Sequence, residues 1–229
     1  MTQKKDIVRA TAVFDLDGTL LDTLGDLADA INSTMRAFGY PEKTDAQVLA
    51  AIGNGIKRAI EAVLPGEPDA QTTEAALALF RKEYEKCYLN RTRPYPGVIE
   101  LLQTLRGAGY GIAVISNKSD SFTAGLVEKH FGGLVDAAFG ERPGVPLKPA
   151  PDAVFEVIAA AGGAPGRAVY IGDSEVDAAT ARNAGMPCVL VSWGFRGRDS
   201  LIGAGAAADS IVDTAGEVLA KIYAQLPAV

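Results

Sequence analysis

The chain has 229 residues, of which 48% are hydrophobic and 22% are charged, and its formal net charge is −6. This length can bury one sizeable core with room for a second small module, and the hydrophobic content is well above that of disordered chains. The acidic balance argues against a nucleic-acid partner, and neither a membrane span nor a signal peptide is recognisable, so we expect a cytoplasmic protein without membrane or nucleic-acid partners.

Four short apolar runs bounded by turn residues predict buried parallel strands. They cover residues 12–14, 112–115, 168–171 and 188–191. Amphipathic helical patterns lie between them, and two of these patterns run up to Gly107 and Gly132, which we expect to cap the helices. This alternation predicts an α/β fold with a doubly wound, Rossmann-like parallel sheet.

An acidic turn, Asp15-Leu16-Asp17-Gly18-Thr19, follows the first strand. Two carboxylates this close repel each other, so they require a divalent cation or a shared proton, and an oxygen-rich site suits Mg²⁺. Gly18 would let the backbone turn sharply, and the Thr19 hydroxyl would orient a carboxylate. The alternative is an ordinary aspartate pair that binds local backbone amides.

The connection that follows is too long for a simple βα loop. It contains apolar stripes at helical spacing and a capping box at Thr44 and Gln47. We therefore predict a small all-helical module at residues 22–93, called the helical cap below, inserted into a core formed by residues 1–21 and 94–229.

The remaining predicted strands also end in polar residues. Ser116 and Asn117 could bind phosphate, although Ser116 could instead cap a helix. Lys148 lies between stiff proline-rich segments, and Asp173 and Asp177 lie one helical turn apart. Either aspartate could be a helix cap, but coincidence is a poor explanation for four suitable strand ends in a row.

Together these segments resemble the four sequence motifs of the haloacid dehalogenase superfamily, and the resemblance covers essentially the whole chain. The helical cap resembles that of the phosphoglycolate phosphatase-like branch. The segments that carry the resemblance are Asp15-Leu16-Asp17-Gly18-Thr19-Leu20, Ser116-Asn117, Lys148-Pro149-Ala150-Pro151-Asp152 and Gly172-Asp173-Ser174-Glu175-Val176-Asp177.

The resemblance implies a Mg²⁺-dependent phosphatase that forms an aspartyl-phosphate. In this reading Asp15 is the nucleophile, and Asp17 protonates the leaving oxygen and later activates water. Ser116, Asn117 and Lys148 would bind the phosphate. The metal would be held by Asp15, the backbone carbonyl of Asp17 and Asp173, while Asp177 would act through water or orient Lys148.

The resemblance also implies a small phosphorylated metabolite as substrate, with 2-phosphoglycolate first and a short phosphosugar second. An acidic protein needs a local positive site for the glycolate carboxylate. We expect that site at the turn containing Asn54 and the helix start with Lys57 or Arg58, although both cations could simply be solvated.

Several rivals remain at this point. A phosphosugar mutase shares both aspartates, and a phosphonoacetaldehyde hydrolase would use a cap lysine such as Lys57. A phosphoacceptor signalling module groups similar residues, but Asp17 favours turnover, and it also argues against a dehalogenase. Neither His130 nor the two cysteines, Cys87 and Cys188, which we interpret as structural, suggest another phosphatase chemistry. We expect a monomer or a homodimer.

Overall fold

A six-stranded parallel sheet forms the centre of the structure, a computed structural model that describes residues 8–227. The strands lie in the order β5-β4-β1-β6-β7-β8. They are β1 (Arg9–Phe14), β4 (Gly111–Ser119), β5 (Ala137–Glu141), β6 (Gly163–Gly172), β7 (Cys188–Val191) and β8 (Ile211–Val212). The chain moves outward from β1 in one direction and then returns to β6 on its other side, so the ends of β1, β4 and β6 form a topological switch point.

Helices cover both faces of this sheet and confirm the predicted doubly wound fold. They are α5 (Val98–Gly107), α6 (Asp120–Phe131), α7 (Asp152–Ala160), α8 (Glu175–Asn183), α9 (Arg198–Gly203) and α10 (Ala215–Gln225), with a short 3-10 helix at Ala208–Ser210. Side chains alternate across the sheet: Ala12 and Phe14 pack with α5, α6 and α10, whereas Val13 packs with α7 and α8. Each face therefore has its own apolar cluster.

All four predicted strands are confirmed, as β1, β4, β6 and β7. The edge strands β5 and β8 were not predicted. The parts of the predicted core at residues 1–7 and 228–229 lie outside the described residues.

Four helices between β1 and α5 pack around a separate apolar cluster. They are α1 (Leu24–Ala37), α2 (Asp45–Ala51), α3 (Ile56–Val63) and α4 (Ala70–Cys87). The capping box at Thr44 and Gln47 is present at the start of α2, as predicted. This confirms an all-helical insert after the first strand.

The start and end of the helical cap are joined by two further contacts. Short strands β2 (Leu21–Asp22) and β3 (Arg93–Pro94) pair antiparallel. The buried Asp26 carboxylate accepts hydrogen bonds from the backbone N–H groups of Arg91 and Thr92, both at 2.9 Å, and from the Thr92 hydroxyl at 2.8 Å. These bonds fix α1 against the returning chain.

The predicted helix-capping glycines are displaced by one or two residues. Gly107 is the last residue of α5, and Gly109 adopts the left-handed conformation with φ of 83°. At the end of α6 the left-handed residue is Gly133, with φ of 76°, and not Gly132. The positive φ that closes such a motif falls on the residue after the helix cap, so the second glycine of each pair takes it.

Candidate active site

The carboxyl ends of β1, β4 and β6 meet at a cavity of about 90 Å³ between the sheet and the helical cap. Asp15 follows β1, Ser116 lies near the end of β4, and Asp173 follows β6, and all three line the cavity.

Within residues 8–227 no helix is both long and apolar enough to cross a membrane.

Asp15, Asp173 and Asp177 form a buried acidic cluster whose carboxylate oxygens lie within 4.8 Å of one another. Burial raises the pKa of Asp15 to about 7; the Lys148 charge opposes the rise and the Asp177 carboxylate adds to it. Burial, with Asp177 and Asp15, also raises the pKa of Asp173 well above its usual value. Three carboxylates facing one ammonium group leave negative charge uncompensated, and hard oxygen ligands of this kind fit a divalent cation.

Lys148 bridges two members of the cluster. Its Nζ donates to Asp15 Oδ1 at 2.7 Å and to Asp177 Oδ1 at 2.8 Å. Burial works against its charge, but Asp15 and Asp177 raise its pKa well above the usual value, so the side chain is a permanent cation.

Asn117 holds Lys148 by its backbone. The Asn117 side chain accepts from Lys148 N at 2.8 Å and donates to Lys148 O at 3.1 Å. Both ends of the amide therefore contact the Lys148 main chain, which leaves the second Nδ2 hydrogen and the main chain of Asn117 for the phosphate contact predicted from the sequence. The side chain positions the lysine.

Asp177 both caps a helix and contacts Lys148, the second of the two alternatives predicted for it. Its Oδ2 accepts from the backbone N–H groups of Asp173 and Ser174, at 3.2 and 3.1 Å, within a capping box at the start of α8. Its Oδ1 accepts from Lys148 and from the Tyr170 hydroxyl at 3.0 Å. Asp177 thus caps a helix and orients Lys148.

The Asp17 carboxylate lies outside the acidic cluster. Its Oδ1 accepts from the Thr23 hydroxyl at 2.6 Å and lies 3.1 Å from Lys118 Nζ, and its Oδ2 accepts from the Ser116 hydroxyl at 3.2 Å. Ser116 is not a helix cap, because α6 begins only after Ser119. The two aspartates of the acidic turn therefore occupy different surroundings.

The turn itself explains Gly18 and corrects the expectation for Thr19. Gly18 has φ of 86°, and a Cβ there would lie 2.3 Å from Asp173 Oδ2. The Thr19 hydroxyl is buried without a hydrogen-bond partner among residues 8–227, so it does not orient a carboxylate. Thr23 performs that role, because the turn brings the start of α1 back to Asp17.

Lys118 connects the core to the helical cap and was not identified from the sequence. Its Nζ donates to the hydroxyl of Tyr84, on α4, at 2.8 Å and lies over the tyrosine ring. Burial lowers the pKa of Lys118, but Asp17 and Tyr84 raise it further, to above its usual range. The only sequence signal was that Lys118 directly follows Ser116-Asn117.

The loop after β7 also contacts both the core and the helical cap. Phe195 N donates to Asp173 Oδ2 at 2.6 Å, and the Arg196 guanidinium donates to the carbonyls of Leu49 and Ile52, each at 3.2 Å. The loop therefore links the acidic cluster to α2 and the turn after it. No role was predicted for this loop from the sequence.

The structure does not bring the predicted cap residues to the cavity. Asn54, Lys57 and Arg58 are exposed and absent from its lining. Lys57 pairs with Glu74 at 3.0 Å, and this hydrogen bond raises the pKa of the lysine. The reason is helix phase: α3 buries Ala59, Ile60 and Val63, which turns residues 57 and 58 outward. Arg81 is the cap cation that lines the cavity.

Arg93 stands six positions after Cys87, a spacing found in cysteine-dependent phosphatases, so sequence alone does not remove that class. The structure argues against it. Cys87 ends α4, outside the cavity lining, and burial, with nearby acidic groups, raises the pKa of its thiol to about 11. Burial also raises the pKa of Cys188 to about 12, so neither thiol is an activated nucleophile.

Comparison with known proteins adds independent findings. Residues 12–191 match the family model of haloacid dehalogenase-like hydrolases. The chain is 34% identical to a phosphoglycolate phosphatase of Mesorhizobium japonicum, over 83% of this chain and 86% of the relative, and 36% identical to one of Caulobacter vibrioides, over 85% and 84%. A crystal structure from Lactobacillus delbrueckii subsp. bulgaricus, assigned as a phosphoglycolate phosphatase, superposes with a TM-score of 0.86 at 34% identity and covers 94% of this chain and 99% of the other.

Proposed function

Because the chain belongs to the haloacid dehalogenase-like hydrolase family, we propose that it hydrolyses 2-phosphoglycolate with Mg²⁺ through an aspartyl-phosphate on Asp15. The family and the relatives make it a phosphoric monoester hydrolase. The observation that carries the proposal is that the carboxylates of Asp15 and Asp17 have different surroundings. Asp15 is paired with Lys148 inside the acidic cluster, whereas the Asp17 carboxylate lies outside it beside Ser116 and Lys118.

Asp15 is the nucleophile. Its carboxylate lies at the centre of the switch point, and Lys148, 2.7 Å away, favours its ionised form. An Asp15 oxygen attacks phosphorus and the bond to the leaving oxygen breaks. Lys148 and Ser116, with main-chain N–H groups at the end of β4, balance the phosphoryl charge.

Asp17 moves the proton. Its carboxyl group protonates the leaving oxygen in the first step and then takes a proton from the water that attacks the phosphoenzyme. The hydrogen bond from Thr23 holds its orientation in both steps, while the Ser116 hydroxyl turns from Asp17 to the phosphoryl group.

Asp15, the main-chain carbonyl of Asp17 and Asp173 would hold the metal. A bound Mg²⁺ supplies charge that offsets the repulsion between the phosphoryl group and the carboxylates. Asp177 contributes by orienting Lys148, since both of its oxygens already accept protein hydrogen bonds.

Cavity size favours a short substrate. A cavity of about 90 Å³ lies well below the roughly 300–1,000 Å³ of sites for drug-sized ligands. It suits a two-carbon phosphate better than a hexose phosphate, which weakens the phosphosugar alternatives. The phosphonoacetaldehyde hydrolase alternative needs a reactive cap lysine. Its candidate, Lys57, lies outside the cavity and has a raised pKa. A long-lived phosphoacceptor is disfavoured by Asp17.

The proposed division into a core of residues 1–21 and 94–229 and a helical cap of residues 22–93 rests on two observations. Helices α1 to α4 have their own apolar cluster, and β2 pairs with β3 at the boundary. The cap then covers one side of the cavity and limits the access of water to the reacting groups.

The test is to trap the intermediate in the Asp17→Asn variant with a good leaving group such as that of para-nitrophenyl phosphate. Asp15 can still attack, but no base activates water, so phosphate should accumulate on the Asp15 peptide after acid quench, as detected by mass spectrometry. Wild-type protein should hydrolyse phosphoglycolate faster than hexose phosphates. Phosphate on serine or histidine, or no turnover of any monoester, would contradict the proposal.

A further inference from the structure

We infer that Arg81 is the specificity-determining residue that receives the carboxylate of a short phosphorylated acid. The inference rests on the proposed function and adds the group that reads the non-reacting end of the substrate.

Four cations line the cavity, and three of them are committed to protein partners. Lys148 bridges Asp15 and Asp177. The other two make the following contacts: Lys118 with Asp17 and Tyr84, and Arg196 with the carbonyls of Leu49 and Ile52 and with Glu175 at 3.6 Å. Across residues 8–227, Arg81 has neither an ion pair nor a side-chain hydrogen bond. Among the described residues it is the cavity cation with no protein partner.

Arg81 lines the same cavity as the reacting groups. It lies on α4 beside Phe80 and three residues before Tyr84, and both aromatic side chains line the cavity. The Tyr84 hydroxyl contacts Lys118, which in turn contacts Asp17. Arg81 therefore precedes, by one helical turn or a rise of about 4.5 Å along the axis, the tyrosine that contacts Lys118.

The chemistry of the side chain fits a carboxylate. A guanidinium group presents parallel N–H donors that bind both carboxylate oxygens, and such charge-assisted bonds are stronger than neutral ones. Phe80, Ile56 and Phe122 form the apolar wall of the same cavity. Arg81 is exposed, as Lys57 and Arg58 are, but unlike them it lines the cavity. Lys118 carries three donors and uses two on the protein, so its third can support the same anion.

The experiment compares two substrates of similar size, 2-phosphoglycolate and 2-hydroxyethyl phosphate, which lacks the carboxylate. We expect Arg81→Ala to lower kcat/KM for phosphoglycolate about 10- to 100-fold, mostly through KM, and to change the value for hydroxyethyl phosphate less than about 3-fold. Arg81→Lys should restore part of the loss. Lys82→Ala, an exposed neighbour on α4 outside the cavity lining, is the matched control and should leave both values unchanged.

The two possible failures are distinguishable. Equal losses on both substrates, or none, with wild-type turnover intact would overturn the role of Arg81 and leave the phosphatase standing. A wild-type enzyme that hydrolyses both esters equally well would do the same. Absence of wild-type turnover of any phosphate monoester would remove the proposed function, and the role of Arg81 with it.

Discussion

Gly194 lies against the acidic cluster where no side chain fits. A Cβ there would lie 2.3 Å from the Gly18 carbonyl oxygen and 2.4 Å from Asp173 Cβ. Gly194→Ala must therefore displace Asp173, and because a displaced carboxylate binds the cation less well, the Mg²⁺ concentration for half-maximal activity should rise roughly 10-fold or more. A magnesium titration of activity measures this. Gly197→Ala, on the same loop with open space at its Cβ, should leave the titration unchanged.

The Cys87 thiol gives the clearest pH dependence. Burial and nearby acidic groups raise its pKa to about 11, and its Sγ donates to the Asp26 carbonyl at 3.6 Å. Only the thiolate reacts with alkylating reagents, so roughly 0.1% of the thiol is reactive at pH 8. Labelling by iodoacetamide should be slow at pH 8 and should accelerate about tenfold per pH unit up to pH 10. A rate that levels off near pH 9 would contradict the raised pKa.

At the scale of elements, Asp26 is the main polar anchor between α1 and the segment before β3. Asp26→Ala removes the acceptor for three hydrogen bonds and leaves buried donors unpaired, so the free energy of unfolding should fall by about 3–5 kcal/mol. Urea denaturation measures the loss. Asp29→Ala, which removes an exposed ion pair with Arg91, is the control and should cost less than about 1 kcal/mol.

The strands that the sequence predicted are those with enough apolar, β-branched residues to require burial on both faces. The edge strand β5, Ala-Ala-Phe-Gly-Glu, is only partly buried, and β8 has two residues. Neither carries a recognisable pattern, because strand conformation there depends on pairing with a neighbour that is distant in the chain.

The same reasoning applies to the site. Asp15, Ser116 and Asp173 could be predicted because they lie at or just after the ends of strands that must meet at one edge of the sheet. Tyr84 and Arg81 could not, because they reach the cavity through packing of α4 against the core. Lys57 lies outside the cavity because of the phase of α3. The sequence of one helical turn does not determine which face of a short helix is buried.

For the whole molecule, the acidic cluster predicts a strong dependence on metal. Excess chelator should abolish activity and Mg²⁺ should restore it, whereas Ca²⁺, with looser and higher coordination, should bind and inhibit. At 100 times its Kd, Mg²⁺ should add about 2.7 kcal/mol of stability, a rise in Tm of roughly 5–10 °C by calorimetry. Full activity in excess chelator would contradict the metal site.

The pairing of β2 with β3 has a consequence for how such an enzyme diversifies. Leu21 pairs with Pro94 and Asp22 with Arg93, so the two ends of the insert lie side by side, about 5 Å apart. Because the two ends are as close together as the ends of a hairpin, the sheet tolerates replacement of the whole segment between them. Recombination at this junction would join the same catalytic core to a different substrate-binding cap. Selection could then act on the core and on the cap separately.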